Sequence, residues 1–100
     1  MIRQILHRLQ TADYIIISPE ELEMLLSEVS VEEETDTQLS GYLRILAAGE
    51  QLLIQEQSPR DEIFIRRIPS REDAQSFVAD RMAIYAKMWD GCGCKVDYHT

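Results

Sequence analysis

The chain has 100 residues, 45% of them hydrophobic, and 18 acids against 10 Lys and Arg give a net charge of −8. That length fits one domain able to bury a core without a disulfide or a metal, and no apolar run approaches the roughly 18 residues of a membrane helix. The negative charge counts against nucleic acid or an anionic membrane as partner. It is unevenly spread: residues 1–50 carry 10 acids and 3 bases, residues 51–100 carry 8 acids and 7 bases. Such a surface can meet a basic protein, although solubility is the commoner reason for it. Met1 to Gln10, broken by Arg3, His7 and Arg8, lacks the apolar stretch of a secretory signal, so the expected location is cytoplasmic.

Ile2, Ile5, Leu6 and Leu9 recur at helical spacing and predict a short amphipathic helix. His7 points about 140° away from Ile2 and reads as a surface residue. Tyr14-Ile15-Ile16-Ile17 is β-branched and compact, a short buried strand or extended segment. Ser18-Pro19-Glu20-Glu21 is a helix start: serine caps, proline takes the first helical position and Glu21 reaches back in a capping box. Ile17 and Leu22 suit a hydrophobic staple, and Leu22, Leu25, Leu26 and Val29 carry the helix on. Residues 30–38, with Glu32-Glu33-Glu34 and Asp36, have no apolar face and read as an acidic, solvated linker.

Residues 39–68 predict three strands. Leu39, Leu43, Ile45 and Ala47 alternate with Tyr42, Arg44 and Leu46; Ala48-Gly49-Glu50 turns the chain into Leu52-Leu53-Ile54, which runs outward to Gln55, Glu56 and Gln57. Ser58-Pro59-Arg60-Asp61 is a second turn. Ile63 and Ile65 then face one way, Phe64 and Ile68 the other. Short loops join antiparallel neighbours, which makes a meander. A helix over Leu39–Leu53 competes, but Gly41, Gly49 and the alternation after Leu52 favour strands.

From Ser70 a long helix is predicted, capped by the serine, with Glu72 and Asp73 against the positive end of its dipole. Ala74, Phe77, Val78, Met82, Ile84, Tyr85, Met88 and Trp89 share one broad face, and Gly91 suits the left-handed position that ends a helix. Arg81 sits near the middle of that face. It either lays its stem over apolar neighbours with the guanidinium in water, or it is a buried or interfacial arginine paired with a carboxylate, since an unpaired buried charge costs too much.

Beyond the helix, Cys92-Gly93-Cys94 places two thiols where both can approach a soft metal. Tetrahedral zinc needs four ligands; Cys92 and Cys94, with His99 or Asp97, fall one short unless a symmetric dimer completes the set. The simpler reading makes the cysteines small hydrophobes in a glycine-rich tail. Arg60, Arg66, Arg67 and Arg71 gather around the third strand and its exit, and salt bridges to the acidic first half explain them better than an anion site. No nucleophile triad, P-loop or dinucleotide fingerprint is present.

The expected molecule is therefore a single α+β domain over residues 1–100: two N-terminal helices, a three-stranded antiparallel meander, and a long C-terminal helix packed on the sheet, with the Cys-Gly-Cys tail at 91–100. More apolar surface lies on that helix than one small sheet covers. The expected function is a protein-interaction module, self-associating through this helix, with Arg81, Met88 and Trp89 at the interface, no cofactor and no catalysis. The alternative is a thiol protein that uses Cys92, Cys94 and His99 for zinc, another soft metal or redox work.

Overall fold

The computed structural model describes residues 1–37 and 41–91, the last three by their backbone alone. Three helices and five strands follow in the order α1 (Ile2–Arg8), β1 (Ile15–Ile17), α2 (Pro19–Leu26), β2 (Ser30–Asp36), β3 (Tyr42–Ala48), β4 (Gln51–Gln57), β5 (Ile63–Ile68) and α3 (Arg71–Gly91). The strands form one antiparallel sheet in the order β1-β5-β4-β3-β2. The meander is thus the middle of a larger sheet than the three strands expected, and α3 packs on it as expected. β1 adds one border by pairing with β5, and the acidic segment adds the other.

That second border corrects the reading of residues 30–38 as a solvated loop. Ser30–Asp36 pairs with β3 from Ser30 opposite Ala47 to Asp36 opposite Tyr42, with a bulge at Glu32. Its side chains are almost all exposed. An edge strand hydrated on both faces needs no apolar pattern, because backbone hydrogen bonds place it. Arg44 reaches Glu34 at 2.6 Å and Arg71 reaches Glu32 at 2.8 Å, so bases flank the acids that would otherwise repel one another.

Period-two alternation sends side chains to both faces of the sheet, and each face has its own core. Leu46, Leu53, Ile63, Ile65, Ile15 and Ile17 meet Ile5 and Leu9 of α1 and Leu22 and Leu25 of α2. On the opposite face Leu43, Ile45 and Ile54 meet Ala74 of α3, with Phe77, Val78, Met82 and Ile68 packed around them. The start of α2 is the expected capping box: the Ser18 hydroxyl accepts from the Glu21 N–H at 3.1 Å, and Glu21 accepts from the Ser18 N–H at 2.9 Å. Ser70 caps α3 in the same way, accepting from the Asp73 N–H at 3.1 Å. Gly41 is required by close approach, since a Cβ there would stand 2.1 Å from the Gln57 carbonyl oxygen.

α3 has 21 residues and includes Gly91, which therefore lies within the helix and not past its end. It is about 31 Å long, whereas the seven residues of β4 span about 23 Å. The helix outruns the strand beneath it. Between Ala83 and Met88 only Tyr85 is buried among the described residues, and this stretch frames the site described next.

Candidate functional site

Glu56 is the centre. The register that turns Leu53 and Gln55 toward α1 and α2 turns Ile54 and Glu56 toward α3. Glu56 is only 3% exposed, and a carboxylate so deeply placed must be paired. Its Oε1 accepts from Arg66 Nη1 at 2.8 Å, and its Oε2 accepts from the Tyr85 hydroxyl and lies 3.2 Å from Arg81 Nε. Arg66 comes from β5, where it stands opposite Ile54. Arg81 and Tyr85 are four residues apart on α3, which puts them on one side of the helix.

Aromatic rings fix the two guanidinium groups. The Arg81 guanidinium carbon lies 4.9 Å from the Phe77 ring centroid, and that of Arg66 lies 5.1 Å from Phe77, 5.3 Å from Tyr14 and 5.4 Å from Phe64. Cation–π contacts of this kind leave guanidinium N–H groups available to hydrogen-bond partners. Burial raises the Tyr85 phenol well above its ordinary range; the hydrogen bond to Glu56 and the negative charge of Glu56 raise it further, against the opposing pull of Arg81 and Arg66. Tyr85 therefore stays protonated and donates.

Beside this cluster a cleft of about 350 Å³ opens between α3 and the β4–β5 turn. Phe64, Pro59, Ile84 and Met88 give it apolar walls, and Arg60 and Glu62 stand in its lining with the cluster. The turn is held by Ser58, whose hydroxyl accepts from the N–H groups of Arg60 and Glu62 at 3.2 Å each, while Asp61 takes the left-handed conformation at φ 64°. A second hollow of about 410 Å³ is lined by Glu34, Asp36, Gly41 and Tyr42. Neither a base nor a buried charge lines that hollow, so the first cleft is the candidate site.

Of the residues singled out from sequence, Arg81 and Met88 meet in this cleft. Arg81 follows the second of its two readings: a partly buried arginine paired with a carboxylate of its own chain. Trp89 belongs to α3, but its side chain lies outside the described residues, as do Cys92, Cys94 and His99. His7 is exposed on α1. Arg71 does bridge to the acidic first half, whereas Arg66 pairs with Glu56 of the second half. Among the described residues no group of three or more His, Cys, Asp or Glu could hold a metal ion, and no helix is long and apolar enough to cross a membrane.

Sequence reasoning missed Glu56, which lies in the polar run Gln55-Glu56-Gln57. The signal that could have found it is Arg81 itself, since a base in the middle of an apolar helix face calls for an acid on the facing strand. Both oxygens of Glu56 are engaged, and the Tyr85 hydroxyl is spent on one of them. Compared with protein families, curated proteins and solved structures, the chain finds no match.

Proposed function

We propose that this protein is a non-catalytic interaction module that self-associates through the distal half of α3 and the sheet border beside it. The observation that carries this reading is one continuous apolar band. Ile84 and Met88, each 48% exposed, stand one helical turn apart; both line the cleft with Phe64, Phe64 packs edge-on against Tyr14 with centroids 5.3 Å apart, and Ile16 stands opposite Phe64 in the sheet. Tyr14 and Ile16 are themselves 47% and 48% exposed. Contiguous apolar surface of this kind marks sites of association.

A second copy is the fitting occupant because the band reaches an open strand. Among the described residues β1 pairs with β5 alone, and it carries no charge, so two copies related by a two-fold axis can join β1 to β1 and bring their bands together. Light scattering tests this directly. Wild-type protein should show the mass of a dimer at high micromolar concentration, and Ile16→Lys and Met88→Asp should each return the mass of one chain with an unchanged circular dichroism spectrum. A wild-type protein that remains one chain at millimolar concentration would refute the proposal.

A further inference from the structure

We infer that the cleft between α3 and the β4–β5 turn is a binding site for a small organic carboxylate with an apolar body. Charge is the first ground. Arg66 and Arg81 both end on Glu56, so two positive charges share one negative charge. Their side chains are only 19% and 28% exposed, and among the described residues no second acid touches either. A partly desolvated excess of one positive charge is unfavourable until an anion joins it. Because the excess is a single charge, and Glu56 repels more, a monoanion suits the site better than a phosphate dianion.

Geometry is the second ground. A guanidinium has five N–H donors, and the contacts with Glu56 use only a few of those on Arg66 and Arg81. The ring contacts with Phe77, Phe64 and Tyr14 limit the movement of both guanidinium groups, so less freedom is lost when a carboxylate meets them. Apolar surface from Pro59, Phe64, Ile84 and Met88 faces the same space. At about 350 Å³ the cleft lies at the small end of ligand pockets, which points to a medium-chain or aryl acid. Tyr85 takes no part in the contact, since its hydroxyl already donates to Glu56.

This inference does not depend on self-association, and Ile16→Lys separates the two, because Ile16 belongs to the proposed interface but does not line the cleft. Octanoate, octan-1-ol and octylamine are titrated into ¹⁵N-labelled Ile16→Lys protein and followed by amide shifts. Octanoate should move resonances of residues 58–66 and 81–88 and bind at least tenfold more tightly than octanol, with octylamine weakest. Arg81→Gln should weaken octanoate at least tenfold; Arg60→Gln, at an exposed turn residue whose side chain forms no ion pair among the described residues, should weaken it severalfold while leaving stability unchanged. Equal affinity for octanoate and octanol would overturn the proposal by reducing the cleft to an apolar groove. So would shifts confined to other residues, or octanoate affinity unmoved in both arginine variants.

Discussion

The two faces of the sheet are held by different physics. Toward α1 and α2, Ile5, Leu25, Leu46, Leu53 and Ile65 are fully buried, and hydrophobic burial dominates the packing beside one buried amide, Gln55, which accepts from Arg44 at 2.9 Å. Toward α3 the same kind of core exists only over the first half of the helix, at Leu43, Ile45, Ile54 and Ala74. Past Met82 it gives way to Glu56, Arg66, Arg81 and Tyr85. An ion cluster of this sort adds little net stability over apolar residues of equal volume, yet losing one member is costly because the others stay behind uncompensated. One face therefore supports the fold, while the other gives up some of its core to hold charged groups at a cleft.

The sharpest way to break that contrast is to remove its pivot. Glu56→Ala leaves two arginines without their anion and should lose about 3–5 kcal/mol in urea unfolding. Replacing the three charged members together, as Glu56→Leu, Arg66→Met and Arg81→Met, should restore stability to wild type or slightly above it. A triple variant as unstable as Glu56→Ala would show that the cluster is needed for the fold itself. On the other face Leu53→Ala should lose about 2–5 kcal/mol through lost burial and a residual cavity, while Arg81 and Glu56 keep their contact by amide shift mapping.

The smallest effect is expected from Tyr85→Phe, about 1.5–3 kcal/mol at neutral pH, from the loss of one hydrogen bond to a charged acceptor. It also carries a pH signature. A phenol whose value is raised in the folded state keeps its proton longer there than in the unfolded chain. Its contribution is therefore complete below the ordinary value of about 10 and is lost as pH climbs through the folded-state value. Chemical unfolding between pH 8 and 11 should show wild-type stability falling more steeply than that of Tyr85→Phe. Parallel slopes would place the raised phenol elsewhere.

Local signals were legible at the helix starts and along the core strands, though Gly91 did not mark the helix end. Ser18-Pro19-Glu20-Glu21 spells out its capping box, Ser70 its cap, and the alternation around Leu53 and Ile65 its two faces. The two outer strands of the sheet were hidden because pairing is not local, although Tyr14 to Ile17 reads by itself as a short strand or extended segment. β1 joins β5 almost fifty residues later, with Ile15 opposite Ile65, and nothing near Tyr14 announces that. β2 has no apolar side because both its faces meet water, so its acids resemble a loop until β3 is laid beside them. At the candidate site the helix contributed readable members, Arg81 and Met88, while the strand contributed Glu56 and Arg66, whose meaning depends on register.

The bulge and the row of glutamates on β2 have a consequence for size. Among the described residues β1 pairs on one side only, whereas β2 is acidic and kinked, so the β1 border is the easier one to extend. Were two copies to join at β1, the resulting ten-stranded ribbon would end in glutamates at both extremes. A third copy approaching either of those strand edges would meet an acidic, kinked strand of its own kind. In such a pair the glutamates at the two ends would oppose growth into fibres.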